Sequence, residues 1–170
     1  CRVVSNYPLK IRVGEMETEC LVSTDAYKQP SIKSVGVIFY MTTQQKISAE
    51  VSEKMANGAV KSFDDIIGED MELKKIIERA KRMALTDSNI MILGESGTGK
   101  DVMAQAIHNA SHRRKKPFIA LNCGAVPKDL IESELFGYEA GAFTGAKKNG
   151  NMGKFELASG GTIFLDEIGE

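Results

Sequence analysis

Residues 94–101 form a short glycine-rich segment, GESGTGKD, between the apolar run 90–93 and an amphipathic stretch from Val102 to Ala110. Glycines let the backbone turn its N–H groups inward, and a helix N-terminus adds partial positive charge where an anion would lie. Lys100 adds a full positive charge within reach of a terminal phosphate. The segment predicts a loop that binds the phosphates of ATP or GTP. Its residues are Gly94, Glu95, Ser96, Gly97, Thr98, Gly99, Lys100 and Asp101.

Position 101 departs from the common form of such a loop, which has Ser or Thr after the lysine as a magnesium ligand. The residue here is Asp101. Its carboxylate could reach the ion through a water molecule, or it could stabilise the helix N-terminus by opposing the helix dipole. The residues alone do not decide between these two roles.

Two acidic residues, Asp166 and Glu167, follow the last apolar run of the chain. An acid at the end of a buried strand beside a phosphate loop can hold Mg²⁺, and its neighbour can orient or deprotonate the attacking water. Asn122 ends the strand-like run 118–121, so its amide could hydrogen-bond Glu167, or it could be an ordinary turn residue. Spacing alone favours the turn role for Asn122. The pattern predicts a hydrolysis site with Asp166 as metal ligand and Lys100 and Glu167 as catalytic residues.

A third segment, residues 141–146, reads GAFTGA and suits neither an amphipathic helix nor a half-buried strand. An aromatic ring on glycine-flanked backbone favours contact with a partner over packing in a core. The segment lies between the phosphate loop and the acidic pair, so we expect ATP to move it. The candidate partner-binding residues are Gly141, Ala142, Phe143, Thr144, Gly145 and Ala146.

The elements that must position these motifs alternate between helix and strand from residue 63 onward. The apolar runs 90–93, 118–121 and 162–165 predict buried strands. Pro127 and Gly137 mark the ends of one helix, and another carries Leu73, Ile76, Ile77, Ala80 and Ala84 on one face. Strands alternating with helices predict a parallel sheet with right-handed crossovers.

The residues ahead of this region have a different pattern. Residues 1–43 contain three strand-like runs separated by turn residues and predict a short antiparallel meander. Residues 44–62 are polar, with Ile47, Val51 and Met55 at every fourth position. That spacing predicts a helical connector or short coiled coil, with a solvated linker as the alternative.

Composition narrows the class of protein. The chain has 170 residues, a net charge of -1 and three well-separated cysteines, which fits a reducing cytoplasm and disfavours a disulfide framework or zinc site. Its longest apolar run, 35–41, is too short to cross a bilayer. The basic run 112–116 favours a solvated loop over a DNA-binding surface, because no aromatic residues interrupt it. Since both ends look cut, we expect a piece of a longer protein.

With these motifs in view, residues 63–170 resemble the central domain of sigma-54-dependent transcriptional activators, the bacterial enhancer-binding proteins of the AAA+ class. The matching stretches are FDDIIG (63–68), GESGTGKD (94–101), ESELFGYEAGAFTGA (132–146) and GGTIFLDEIGE (160–170). The resemblance implies an α/β fold, a P-loop AAA+ three-layer parallel sheet that is truncated here. It also implies ATP and Mg²⁺ as cofactors, self-association into a ring, and ATP hydrolysis that remodels the closed complex of sigma-54 RNA polymerase.

The resemblance assigns a role to each matching position. Lys100 and the glycines around it match the ATP-binding loop, and Asp101 stands where the family usually has Glu. Asp166 and Glu167 match the magnesium-binding and water-activating acids, and Asn122 matches a switch asparagine that pairs with the catalytic Glu. Three residues, Ile66, Ile67 and Gly68, fall where the family packs adenine. Phe143 and Thr144 match the pair at the loop tip that engages sigma-54.

Residues 1–43 resemble the last strands of a PAS sensor domain, an antiparallel α+β segment, with 44–62 as its helical linker and 63–170 as the first part of the AAA+ domain. DNA contact is implied only through a C-terminal domain absent from this sequence, and no membrane contact is expected. The intact protein would be an ATPase, whereas this chain alone should show little or no turnover. The alternatives are a nucleotide-binding or interaction fragment without catalysis, and another P-loop NTPase such as a kinase or GTPase.

Overall fold

A computed structural model describes residues 2–4, 8–13, 16–21, 35–40, 58–141 and 149–168. The strands are β1 (Arg2–Val4), β2 (Pro8–Val13), β3 (Met16–Leu21), β4 (Val35–Tyr40), β5 (Ile90–Leu93), β6 (Phe118–Asn122), β7 (Gly137–Tyr138), β8 (Asn151–Met152) and β9 (Thr162–Asp166). The helices are α1 (Met71–Ala84), α2 (Lys100–Ala110), α3 (Lys128–Phe136) and α4 (Lys154–Leu157), preceded by a 3-10 turn at Phe63–Asp65.

The central sheet has five strands in the order β1-β5-β4-β9-β6. Strands β6 and β9 pair in parallel, whereas β4 runs antiparallel to both β5 and β9. Because β4 opposes both of its neighbours, β5, β6 and β9 all run in the same direction, as the alternating pattern predicts. The sheet as a whole is mixed, since β1 and β4 run the opposite way.

The predicted three-stranded meander in residues 1–43 is wrong at its third strand. Strands β2 and β3 pair with each other as a hairpin, but β4 lies between β5 and β9 of the region beyond residue 63. The physical reason is that β5 and β9 leave a gap one strand wide, lined by unpaired backbone groups. Ile38 of β4 is fully buried there, and Gly36 lets β4 approach the sheet closely, because a Cβ at that position would lie 2.7 Å from the ring of Phe164.

Helices cover both faces of the sheet, which confirms the predicted three layers. Helix α1 begins where the carboxylate of Asp70 accepts hydrogen bonds from the backbone N–H groups of Glu72 and Leu73. It packs with α2 on one face, and α3 and α4 pack on the other. The first cluster contains Ile38, Ala80, Ala84, Ile90, Ile92, Met103, Ala104, Ile107, Phe118 and Phe164, and the second contains Leu121, Leu135, Ala158, Ile163 and Leu165.

The end of the predicted helical linker is not helical. Residues 58–62 form a loop fastened to α2 by two side chains one helical turn apart. The Oε1 atom of Gln105 accepts hydrogen bonds from the N–H groups of Val60 and Lys61, and the Nδ2 group of Asn109 donates to the carbonyls of Ala59 and Lys61. These bonds satisfy backbone groups that a helix would otherwise pair internally. Ile47, Val51 and Met55 lie outside the described residues.

None of the helices in the described part of the chain is long and apolar enough to cross a membrane.

His108 is a fully buried histidine in the last turn of α2. Its Nδ1 atom lies 2.9 Å from Oγ1 of Thr162, and its ring centroid lies 5.1 Å from that of Phe118. Burial lowers the pKa of His108 to about 4, because the apolar surroundings disfavour the charged imidazolium. The folded protein therefore holds this side chain neutral at physiological pH.

We expect the buried histidine to make stability depend on pH. The unfolded chain binds a proton at His108 below about pH 6.5, whereas the folded chain resists protonation until its pKa of about 4. Stability is therefore fully present above pH 6.5 and is lost as the pH falls from there towards 4. The expected loss between pH 7.5 and 5 is about 2 kcal/mol, measured as the free energy of unfolding in urea.

The control is His108→Asn, which offers a polar atom near the Nδ1 position and does not titrate in this range. Its unfolding free energy should change little between pH 7.5 and 5. The same pH dependence in both proteins would show that His108 is not the group responsible.

Candidate nucleotide site

The glycine-rich loop joins the end of β5 to the start of α2, as predicted. Gly97 and Gly99 have φ angles of 78° and 79°, in the left-handed region that glycine adopts without strain. Gly99 is the residue that precedes the first helical turn, and no side chain caps that turn. The start of α2 therefore directs the positive end of its helix dipole towards the loop, where an anion would lie.

Lys100 is the first residue of α2, and its side chain is buried beneath the loop. Only 4% of the residue is exposed. Its Nζ group donates to the carbonyl oxygens of Glu95 at 2.9 Å and Gly94 at 3.3 Å. Asp101 is exposed in the first turn of α2, where a carboxylate opposes the helix dipole by about 0.3–1 kcal/mol.

The acidic pair lies at the end of β9. Asp166 is half-buried, and its Oδ1 atom accepts a hydrogen bond from the N–H group of Glu167 at 3.0 Å. Glu167 has a φ angle of 55°, a backbone conformation that costs a residue with a Cβ about 1 kcal/mol or more. Strain of this kind concentrates at functional sites, so the outlier supports a special role for Glu167.

Asn122 lies beside both acids. It pairs with Asp166 in the parallel register of β6 and β9. A Cβ on Gly124 would lie 2.5 Å from Oε2 of Glu167 and 3.4 Å from Oδ1 of Asn122, so both side chains border the same glycine. The Oδ1 atom accepts a hydrogen bond from the N–H group of Ala125 at 3.1 Å. Asn122 is therefore a turn residue in this structure, placed next to Glu167 without a direct hydrogen bond between their described side chains.

The two halves of the site open at the same edge of the sheet. Met91 of β5 and Leu165 of β9 both lie opposite Val37 of β4, so the strands that lead to the loop and to Asp166 end at one level. With β4 between them, they are two strand spacings apart, about 10 Å. The sequence patterns missed this contribution of β4, whose Gly36 lies beside Asp166.

Cys123 is a further neighbour that the sequence patterns missed. Its N–H group donates to the carbonyl of Asp166 at 2.9 Å. Burial raises the pKa of the Cys123 thiol, and the charges of Asp166 and Glu167 raise it further. The thiol therefore stays neutral beside the two acids. The signal in the sequence that could have identified Cys123 as a neighbour of the acids was its position directly after Asn122, at a predicted strand end.

These residues fit a magnesium–nucleotide complex. Mg²⁺ is usually bound by one or two carboxylates together with phosphate oxygens and water. Asp166 supplies a half-buried carboxylate on the same sheet edge as the buried ammonium of Lys100. Over the ranges that the structure describes, no group of three or more His, Cys, Asp or Glu side chains could hold a metal by itself. A metal at Asp166 could take its other oxygen ligands from a nucleotide and from water.

The predicted adenine-contact residues, 66–68, precede α1. Ile66 is partly buried and packs against the first hydrophobic cluster. Ile67 is 95% exposed, and Gly68 is exposed beside Leu73. Ile67 therefore presents an almost fully exposed apolar side chain, and adenine contact stays a prediction for all three residues.

The predicted partner-binding segment lies within the connection between β7 and β8, which pair as an antiparallel ribbon. Gly141 is exposed, and residues 142–146, including Phe143 and Thr144, lie outside the described residues. The base of the connection is firmly placed, because Phe136 at the end of α3 stacks on Phe155 of α4 with ring centroids 5.2 Å apart.

The basic run is partly structural. Arg113 and His112 both contact Oδ1 of Asp87, at 3.0 Å and 3.1 Å. Arg113 also donates to the carbonyls of Gly160 and Gly161. Its hydrogen bond to Asp87 is the main reason that the pKa of this carboxyl is lowered. Residues 114–116 are exposed, so only part of the run is the solvated loop that its composition predicts.

Comparison with known proteins places these motifs in one family. Residues 66–170 match the family described as Sigma-54 interaction domain. The chain is 51% identical over 143 residues to a signal-transduction and transcriptional-control protein of Clostridium beijerinckii, a match that covers 84% of this chain and 23% of that protein. This match is longer than the family match, so it includes residues ahead of Ile66.

A second relative is the acetoin dehydrogenase operon transcriptional activator AcoR of Bacillus subtilis, 48% identical over 135 residues, which is 79% of this chain and 20% of AcoR. Among solved structures, NtrX from Brucella abortus matches with a TM-score of 0.47 and 28% identity, covering 66% of this chain and 22% of NtrX. The chain thus spans about a fifth of the length of the curated relatives it matches.

Proposed function

From the premise that this chain belongs to the family of sigma-54 interaction domains, which have the AAA+ P-loop fold, we propose that it binds Mg²⁺·ATP and couples ATP hydrolysis to remodelling of the sigma-54 RNA polymerase closed complex. Because the chain belongs to this family, a kinase or GTPase function is no longer proposed. The observation that carries the proposal is the uncapped N-terminus of α2 with buried Lys100, on the same sheet edge as Asp166 and the strained Glu167.

In the proposed chemistry, the N–H groups at the start of α2 orient the phosphates and Lys100 opposes their negative charge. Lys100 at about 4 Å from a phosphate oxygen contributes roughly 4 kcal/mol at an effective dielectric of 20. Asp166 would hold Mg²⁺, which when bound neutralises charge on the transferred phosphoryl group. Glu167 orients the attacking water and accepts its proton. The adenine packs against residues 66–68.

Asn122 is proposed to carry nucleotide state from the site to the 141–146 loop. Its side chain borders Glu167 across Gly124 and holds the turn that leads into α3. Helix α3 ends at Phe136, directly before the β7–β8 ribbon from which the loop extends. A change at Glu167 that engages Asn122 would therefore shift α3 and the base of the loop. Phe143 and Thr144 would then bind sigma-54.

The full-length protein is proposed to form a ring, to act in the cytoplasm and to contact DNA only through a separate C-terminal domain. Residues 1–43 would be the end of a PAS-like sensor domain joined by 44–62. The β2–β3 hairpin supports an antiparallel segment there, although β4 belongs to the nucleotide-binding sheet.

Replacing Thr144 by Ala in the full-length protein should leave ATP hydrolysis within about twofold of wild type and lower transcription from a sigma-54 promoter about tenfold or more. The physical reason is that Thr144 contacts the partner and lies outside the nucleotide site. The two measurements are phosphate release and in vitro transcription with purified sigma-54 polymerase.

The matched control is Thr144→Ser, which keeps the hydroxyl group and should retain most of the transcription. Wild-type transcription by Thr144→Ala would contradict the role given to the loop. Loss of ATP hydrolysis would instead place Thr144 in the nucleotide site.

A further inference from the structure

His108 and Thr162 join the helix of the phosphate loop to the strand of the acidic pair. His108 lies in the last turn of α2, and Thr162 is the first residue of β9. Nδ1 of His108 and Oγ1 of Thr162 are 2.9 Å apart, and both residues are fully buried. The contact therefore lies at the edge of the sheet opposite the nucleotide site.

The two arms that extend from this contact to the site have nearly the same length. Lys100 precedes His108 by two turns of α2, a rise of about 12 Å. Asp166 follows Thr162 along β9 by about 13 Å. The helix and the strand point to the same edge, so a contact at their far ends sets Lys100 and Asp166 at one level.

The other contacts between α2 and the sheet fix the position of α2 along β9 less precisely. Met103, Ala104 and Ile107 pack against the core, but apolar packing is non-directional and tolerates small sliding movements. A hydrogen bond between buried groups has one good geometry, and its loss leaves a polar atom unpaired away from water. The contacts of Arg113 with Gly160 and Gly161, at 3.4 Å and 3.5 Å, are longer and originate outside the helix.

We propose that His108 and Thr162 are positioning residues for the nucleotide site, because their buried hydrogen bond fixes the register of α2 against β9 and so the spacing of Lys100 from Asp166. The inference rests on the proposed function, since it concerns how Lys100 and Asp166 together bind Mg²⁺·ATP. It predicts that loss of the His108–Thr162 hydrogen bond weakens ATP binding mainly when Mg²⁺ is present, because the phosphates and the metal must then be bound together.

The test compares ATP affinity with Mg²⁺ and with EDTA for this chain. Thr162→Val replaces the hydroxyl group by a methyl group of similar size, and it should lose about tenfold of the affinity that Mg²⁺ adds. Its metal-free ATP affinity should stay within about twofold of wild type, because the loop and Lys100 remain intact. Circular dichroism and thermal unfolding establish the folded fraction of each protein.

Two control variants distinguish a loss of positioning at the nucleotide site from a general loss of protein stability. Thr162→Ser keeps the hydroxyl group, and Ile107→Val removes one buried methylene from α2 without touching the bond. Both should retain the Mg²⁺ effect to within about twofold. His108→Phe removes the bond from the helix side and should lose the Mg²⁺ effect like Thr162→Val, so the test remains available if one variant does not fold.

A full Mg²⁺ effect in either folded variant, Thr162→Val or His108→Phe, would overturn the inference and leave the proposed function intact. An equal loss in Ile107→Val would also overturn it, because general destabilisation would then account for the effect. A wild-type chain that binds ATP without any gain from Mg²⁺, or does not bind ATP, would overturn the proposed function and the inference with it.

Discussion

Lys100→Ala should raise the Kd for ATP by about a hundredfold or more, close to complete loss of measurable binding. A charge contact worth roughly 4 kcal/mol corresponds to nearly three decades in affinity, and desolvation of the ammonium offsets part of that gain. In this chain the lysine is already buried beneath the loop, so binding does not have to remove it from bulk water. Isothermal titration with Mg²⁺·ATP measures the effect directly.

Two variants make this result specific. Lys100→Met keeps an unbranched side chain and removes only the charge, and it should lose as much affinity as Lys100→Ala. Lys115→Ala removes an exposed lysine from the basic run and should change affinity by less than about twofold. Unchanged affinity in both Lys100 variants would exclude the 94–101 loop as the phosphate site.

Glu167→Gln in the full-length protein should slow ATP hydrolysis by about a hundredfold or more while ATP affinity changes by less than about threefold. The amide keeps the size of the side chain but cannot accept a proton from water. Asp166 and Lys100, which are proposed to hold the nucleotide, are untouched. Single-turnover phosphate release measures the chemical step, and equilibrium titration of ATP measures binding.

Glu78→Gln is the matched control, because this glutamate is exposed on α1 and pairs only with Lys81 among the described residues. Its hydrolysis should remain at the wild-type rate. Near-normal hydrolysis by Glu167→Gln would remove Glu167 from the reaction. A fall in ATP affinity equal to the fall in rate would make Glu167 a binding residue instead.

Much of the nucleotide half of the fold could be predicted from local patterns. The apolar face of α1, the strand runs and the Pro127 and Gly137 boundaries of α3 all depend on residues within one or two turns of each other. The loop at 94–101 is equally local, because its glycines and the helix that follows create the anion site together. The structure therefore has these elements where the spacing of residues predicts them.

Predictions that depended on distant partners were less successful. For residues 44–62 the sequence leaves a helix and a solvated linker as alternatives. The structure decides this for residues 58–62, because Gln105 and Asn109 bind the backbone at 59–61. His108 and His112 look like equivalent histidines in the sequence. The structure buries His108 against Thr162 and leaves His112 at the surface beside Asp87. Whether a histidine is buried depends on which element packs against it, and the periodicity of its own helix does not contain that information.

By itself, the sequence determined helices α1 to α3, strands β5, β6 and β9, and the phosphate loop, since all of these follow from side-chain chemistry at short range. It did not predict the short elements β7, β8 and α4. Only the tertiary structure decided that β4 lies between the strands of the phosphate loop and of Asp166, and that Cys123 borders the acids. The physical reason is that backbone hydrogen bonds in a sheet are nearly the same for every residue. An open strand edge therefore accepts any apolar segment that reaches it, however distant in the chain.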